Sequence, residues 1–337
     1  MSSLSMDRGA HSKSEPKLIH IIGYPSSGTT LLRDILDVHP DLRIAGEMPL
    51  LLSLVSVSDL TITRENFAWV KDKVLLTDVY EHFRNTKLTY EDLEQRFEKR
   101  DGFKVRHVYA GLLDAGYYAY YGNKTPQYTE SLDELWSLFP MTKVICVVRD
   151  IRDVVLSFKK KWNKSCLLAA QKWTQRMRSG VLSMESMPKD MCLIVRYEDL
   201  LDHPQQQVEA ICRFLEVPVS DRMLNHTRFR RVHFAGKKNI NSEIDPSNLG
   251  KWRTQLSLAT ARRVEEIAFE MMHRFGYRPE VAERSKRLWW VQRILLEFRD
   301  GLAALTFGNK YSQTETLWDR LEHVSLTLKR RLFVRRS

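Results

Sequence analysis

The clearest chemistry in this 337-residue chain lies in Gly23-Tyr24-Pro25-Ser26-Ser27-Gly28-Thr29-Thr30, whose two glycines have the spacing of a phosphate-binding turn. In such turns backbone N–H groups and the start of a helix surround phosphate oxygens. Hydrolysis of a nucleoside triphosphate needs a lysine where this chain has Thr29, so the β/γ-phosphate charge would lack its partner in the loop. A ligand with a single 5′-phosphate suits Ser26, Ser27, Gly28, Thr29 and Thr30 better. The other reactive side chains are less pointed. Cys146, Cys166, Cys192 and Cys212 show no C-x-x-C spacing, and most lie in apolar runs, which predicts buried thiols in a reducing compartment and no metal site.

The elements that would position the loop are legible in the hydropathy pattern. LIHIIG at 18–23 predicts a strand that stops at the turn. TTLLRDILDVHP then places Leu31, Leu32, Ile35, Leu36 and Val38 mostly on one helical face, with Pro40 ending it. Further strands are expected at 143–148, KVICVV, and 192–196. A helix should follow each, in RDIRDVVLSFKKKW and in PQQQVEAICRFLEV. Residues 50–120 read as several helices, clearest around 65–74, 90–100 and 105–118. Residues 230–252 read as a long loop of the kind that forms lids. Strands alternating with helices imply an α/β fold, a central, mostly parallel sheet flanked by helices in three layers, with ligands at the carboxyl ends of the strands.

Four segments, in order, carry a family resemblance. GYPSSGTTLLRDILDVHPDLRIAGE resembles the 5′-phosphosulfate-binding segment of sulfotransferases that use 3′-phosphoadenosine 5′-phosphosulfate (PAPS), most of all the tyrosylprotein and carbohydrate branch. YGNKTP resembles that family's lysine-containing K-T-P or K-D-P segment, VVRDIRDVVLS its 3′-phosphate segment, and RYEDLLDHPQQQVEAICRFLEVP the segment packed near the adenosine. The resemblance implies a P-loop-like domain over residues 17–279, PAPS as co-substrate, no metal, and a hydroxyl-bearing acceptor that is a carbohydrate, small molecule, lipid or tyrosine.

It also implies roles. Arg149 would grip the 3′-phosphate in a bidentate way and Ser157 would add a hydrogen bond. Tyr197 would lie near the adenosine, and Lys251 or Trp252 would cover the nucleotide. Glu47 matches the general base, and Lys124 matches the cation beside the bridging oxygen. A helix-start carboxylate and a solvated surface lysine are the plainer readings of those two. His107 is a weaker alternative base, and His39 in its H-P helix end reads as structural. The chain departs from the pattern twice. Ser26 stands where many members have Lys or Arg, leaving the loop without a cation, and Gly250-Lys251-Trp252 replaces an S-K-W segment, losing a serine.

Composition bounds the rest. With 43% hydrophobic and 28% charged residues the chain has the balance of a globular protein, and a formal charge of +11 favours anionic partners. Nucleic acid is not expected, since residues 18–252 lack a basic stripe interleaved with aromatics. Tyr117, Tyr118, Tyr120 and Tyr121 either line an acceptor site or pack in the core. Residues 1–16 are polar, predicted disordered, and lack the apolar core of a signal peptide, so a cytoplasmic location is expected. The stretch 288–307 is interrupted by Arg293, Glu297, Arg299 and Asp300, too charged to span a bilayer. Residues 280–337 form a basic amphipathic helical extension, with Leu317, Leu321, Val324 and Leu328 on one face. It would dock on its own domain, on a second subunit in a homodimer, or peripherally on an anionic membrane. Two other functions stay open at this level: a P-loop nucleotide or metabolite kinase, and a non-catalytic nucleotide-binding module.

Overall fold

A computed structural model describes residues 17–47, 61–67, 90–91, 94, 103–104, 119–139, 142–229 and 244–307. Its strands are β1 (Lys17–Gly23), β2 (Leu42–Ala45), a two-residue antiparallel pair β3 (Thr61–Ile62) and β4 (Phe103–Lys104), β5 (Tyr120–Lys124), β6 (Lys143–Val148) and β7 (Cys192–Arg196). Five of them form one sheet in the order β2-β5-β1-β6-β7, with every neighbouring pair parallel. The helices that matter here are α1 (Thr29–Asp37), α2 (Leu132–Leu138), α3 (Ile151–Trp162), α4 (Cys166–Ser186), α5 (Tyr197–Asp202), α6 (Pro204–Leu215), α7 (Leu258–Arg274) and α8 (Trp290–Phe307).

The central strands are apolar throughout because both faces of the sheet are covered. On β6 the side chains alternate: Val144, Cys146 and Val148 join a core with residues of α2, α3, α4 and α7, while Ile145 and Val147 join a second core with α1, α5 and α6. The result is the three-layer α/β arrangement that the alternating pattern implies. Cys146, Cys166 and Cys212 are buried and Cys192 is half-buried, all as free thiols. Burial raises the Cys146 pKa to about 12 and those of Cys192 and Cys212 to about 11, so they behave as inert apolar groups.

Several elements differ from their sequence reading. The sequence reading missed β2 and β5. N-K-T-P has the composition of a short turn, yet Asn123 and Lys124 end strand β5, and only the residues after them turn, into the single-turn helix Pro126–Glu130. A β-strand is hard to see in YYGNK because glycine and asparagine are poor strand formers. Gly122 is there for space: a Cβ added to it would lie 1.6 Å from the Ile19 carbonyl oxygen of β1. Tyr120 and Tyr121 are buried core residues, so of the tyrosine cluster these two pack the sheet. Within 230–252 the described part, 244–252, contains short helical turns at Pro246–Asn248 and from Trp252. Most of the helices expected between 50 and 118, together with His107, Tyr117 and Tyr118, lie outside the described residues, as do residues 1–16 and the 317–328 stripe.

After α7 the chain stays on the same body. The Glu265 carboxylate accepts the backbone N–H groups of Glu280, Val281 and Ala282, Leu288 enters the core, and the Asp300 carboxylate of α8 accepts the Ser165 N–H at the start of α4. No described helix is long and apolar enough to cross a membrane.

The Gly122 contact gives a stability prediction. Gly122→Ala must push β5 away from β1 and should cost about 3 kcal/mol, at the upper end of overpacking penalties. Urea denaturation followed by circular dichroism reads this out, and an unchanged midpoint would refute the contact.

Candidate active site

The crevice between the carboxyl ends of β1 and β6 is where the chain switches direction across the sheet. From β1 it proceeds to β2 and β5 on one side, then returns to β6 on the other. Ligands of open parallel sheets bind at such switch points. The glycine turn fills the β1 side. Gly23 approaches β6 so closely that a Cβ would lie 2.5 Å from the Val147 carbonyl oxygen. Gly28 caps α1 with a positive φ of 93°. Helix α1 therefore begins at Thr29, and its first N–H groups, which no helical carbonyl can reach, point into the turn. Ser27 and Thr29 are buried, and the Ser27 hydroxyl has no partner. A buried orphan hydroxyl beneath a helix N-terminus fits a phosphate oxygen.

Arg149 follows directly on β6. Its guanidinium donates to the carbonyl of Ser26 at 3.2 Å and to that of Asn248 at 2.9 Å, and it lies 4.4 Å from the centre of the Tyr197 ring. The same ring covers Gly28, where an added Cβ would meet Tyr197 at 2.2 Å. The glycine turn, Arg149 and Tyr197 thus share one cleft. Ser157 sits half-buried two turns along α3. Lys251 is held near Arg149 through Asn248, whose side-chain oxygen accepts from Nζ at 2.7 Å. Trp252 is different: it is 4% exposed and its ring packs beneath Arg152, 4.0 Å away, so its side chain is spent on packing.

On the other side of β1, Lys124 and Glu47 meet. Strands β2 and β5 are paired so that Ala45 lies opposite Asn123, which brings Glu47, two residues past β2, level with the end of β5. Lys124 Nζ donates to Glu47 Oε1 at 2.5 Å; the lysine side chain is 7% exposed and the glutamate 47%. Burial lowers the Lys124 pKa, and the Glu47 charge opposes that shift. The Thr129 hydroxyl, which accepts from the Gly23 N–H and donates to the Gly23 carbonyl, locks the chain after Lys124 onto the phosphate turn. His39 is occupied elsewhere: Nε2 donates to the Pro218 carbonyl and Nδ1 accepts from the Asp41 N–H.

Two groups escaped the sequence reading. Asp153, in the first turn of α3, accepts the N–H groups of Gly250 and Trp252 at 2.8 and 2.9 Å, and so seats the 244–252 segment over Arg149. Lys161 reaches the phosphate turn from the end of α3, with Nζ 3.5 Å from the Ser26 hydroxyl. The available signal was spacing, since Lys161 lies four residues after Ser157 on the same helical face.

The balance between Lys124 and Glu47 can be tested directly. Glu47→Gln removes the main opposition to burial and should lower the Lys124 pKa further, read by NMR titration of labelled lysine. A rise, or no change, would show that the carboxylate does not support the ammonium.

Comparison with known proteins agrees with this geometry. A family model described as "Sulfotransferase family" matches residues 16–221. Protein-tyrosine sulfotransferase 1 of Danio rerio is 28% identical over 282 residues, covering 78% of this chain and 72% of the relative. Among solved structures, the sulfotransferase domain of the Synechococcus PCC 7002 olefin synthase superposes with a TM-score of 0.54 at 25% identity, covering 77% of this chain and 96% of that one. The sulfotransferase domain from the curacin biosynthetic pathway reaches 0.58 at 21% identity, over 78% and 98%, and shares the fold. The chain belongs to the sulfotransferase family, and its reaction is transfer of a sulfuryl group to an acceptor hydroxyl.

Proposed function

We propose that the sulfuryl donor is PAPS, that Glu47 is the general base, and that Lys124 neutralises the departing 5′-phosphate. The observation that carries this reading is the contact of Lys124 with Glu47 beside the phosphate turn. In-line displacement needs three things close together: an oxygen to deprotonate, a sulfur to attack, and a negative charge to stabilise as the old S–O bond breaks. With substrates between them, Glu47 takes the acceptor proton as the new O–S bond forms, and the Lys124 ammonium faces the oxygen that gains charge. The Glu47 charge opposes the effect of burial on Lys124 and so favours its ammonium form.

The nucleotide fits the donor set. Backbone N–H groups and the Ser26, Ser27, Thr29 and Thr30 hydroxyls suit the 5′ end, and Arg149 with Ser157 suits the 3′-phosphate. Arg149 at present donates to two carbonyls, contacts that a phosphate can replace with stronger charge-assisted bonds. Tyr197 offers the adenosine an aromatic face beside Arg149. Lys251 closes the cleft through the backbone that Asp153 anchors.

A protein tyrosine is the acceptor named for the zebrafish relative, and it is the first acceptor to assay here, ahead of carbohydrates, lipids and small phenols. The proposed compartment is the cytoplasm, supported by four free cysteines. Residues 280–337 are proposed as the extension through which the chain meets a membrane surface or a second copy.

Adenosine 3′,5′-bisphosphate should bind in the absence of magnesium, measured by calorimetry; a requirement for Mg-ATP would overturn the PAPS assignment. Arg149→Ala should weaken that binding about 10- to 100-fold, as expected for loss of a charge-assisted phosphate contact. Glu47→Gln should leave it within about threefold while lowering single-turnover sulfuryl transfer by about 10²- to 10⁴-fold, the usual contribution of a positioned base. Equal loss of affinity in both variants would make Glu47 structural.

A further inference from the structure

We infer that the outward face of α8, with the basic segment leading into it, lies on an anionic lipid surface without crossing it; this rests on the proposal that residues 280–337 are the docking extension, and commits it to one occupant. Trp290, Ile294, Phe298 and Leu302 recur every fourth residue along α8, and Leu295 lies beside Phe298 and Leu302 on the same side. All five are exposed, Trp290 and Phe298 to 68%, as is Trp289 just before the helix. Single apolar residues are ordinary on a protein surface, but a continuous stripe of this size marks a contact.

The opposite side of α8 already has its partner. Leu296 packs against the core, and Ala303 is buried. The Asp300 carboxylate accepts the Ser165 N–H, and the Arg299 guanidinium donates to the Asn163 carbonyl at 3.5 Å, so the helix is tied to the turn between α3 and α4. A rotation that would bury the stripe breaks these contacts. Glu297 pairs with Arg293 along the helix at 3.1 Å. Both acids of α8 are thus engaged, one with the domain and one within the helix.

Ahead of the helix, Glu283-Arg284-Ser285-Lys286-Arg287 carries three positive charges against one negative. The backbone holds this run in place: the Lys286 N–H donates to the Glu266 carbonyl of α7 at 2.8 Å, and Leu288 is buried. Arg284, Lys286 and Arg287 are exposed, and none forms an ion pair with a described residue. That charge decides between occupants. In a symmetric pair of copies the same patch meets itself, and two sets of these cations would face a stripe with no acid on it. An anionic bilayer attracts them instead, and its headgroup zone suits indole rings beside aliphatic side chains. KRRLFVRRS at 329–337 adds five further basic residues to the same extension. Arg293, Glu297, Arg299 and Asp300 make α8 too charged to span the bilayer, which leaves a helix lying in the interface.

Co-sedimentation of the full chain with vesicles tests this, using equimolar phosphatidylcholine and phosphatidylserine against phosphatidylcholine alone. The parent should bind the mixed vesicles at least about 10-fold more strongly, less so at high salt, because each basic residue near an anionic surface adds about fivefold. Trp290→Ser with Phe298→Ser should cut binding to the mixed vesicles about 10-fold or more, and Lys286→Glu with Arg287→Glu should do the same while shrinking the preference for phosphatidylserine. Circular dichroism and affinity for adenosine 3′,5′-bisphosphate should match the parent in both variants. On the parent itself, phosphatidylcholine brominated along its acyl chains, mixed with phosphatidylserine, should quench tryptophan fluorescence. Trp289→Phe with Trp290→Phe should remove most of that quenching, a readout that a purely electrostatic contact would not give. Vesicle binding that Trp290→Ser with Phe298→Ser does not weaken, or that leaves the tryptophans unquenched, overturns the assignment to α8 while leaving residues 280–337 as the docking extension. Absence of vesicle binding, with a dimer in sedimentation equilibrium that Trp290→Ser and Phe298→Ser dissociate, overturns it in favour of a second copy. A monomer that binds no vesicles removes both.

Discussion

The nucleotide side of the cleft depends on the guanidinium of Arg149. It emerges at the end of β6 and touches three segments far apart in sequence: the phosphate turn through the Ser26 carbonyl, the 244–252 segment through the Asn248 carbonyl, and α5 through the Tyr197 ring. Each segment is placed by something else. Gly23 and Gly28 permit the turn, Asp153 holds the backbone at 250 and 252, and β7 delivers Tyr197. Arg149 touches all three. A cation whose hydrogen bonds go to carbonyl oxygens, with no carboxylate among the described residues within ion-pair distance, keeps much of its attraction for an incoming anion.

Arg152, three residues on, shows the contrast. Asp150 and Glu265 satisfy its guanidinium, and the Trp252 ring lies 4.0 Å away. Glu265 in turn accepts three backbone N–H groups of the 280–282 segment, and these bonds hold its pKa down despite the burial that would raise it. This network is buried, paired and saturated, so its role is to fix α3 against α7 and the chain beyond. The sequence R-D-I-R-D therefore holds one arginine for binding and one for architecture, and only their partners distinguish them.

That difference sets how much the sequence could reveal. The phosphate turn, β1, α1, β6 and β7 were legible because glycine spacing and apolar runs are local signals. Lys124 and Glu47 could be named by their motifs, but their contact depends on β2 pairing with β5, and neither strand has a strong pattern: LRIA is four residues long, and YYGNK contains glycine and asparagine. Gly122 reads as a turn former, whereas its cause is the Ile19 carbonyl across the sheet. Lys161 was hidden in a K-K-K run that looks like an ordinary solvated helix end. Asp153 looked like a first-turn acid, a frequent and usually unremarked feature of helices.

Lys124 on the β5 side and Arg149 with Lys161 on the β6 side flank the phosphate turn, and this concentration of positive charge favours an anion there. Burial lowers the pKa of both lysines, and for Lys161 the Arg149 charge adds to the effect. Each cation has a local partner: Glu47 for Lys124, two backbone carbonyls for Arg149, and a serine hydroxyl for Lys161. An anion beside a lysine favours its ammonium form, the opposite of what burial does to both lysines here. The scaffold beneath them carries its own charge balance, since Asp150 and Glu265 neutralise Arg152 and leave Arg149 as the arginine of this pair whose hydrogen bonds go to carbonyls.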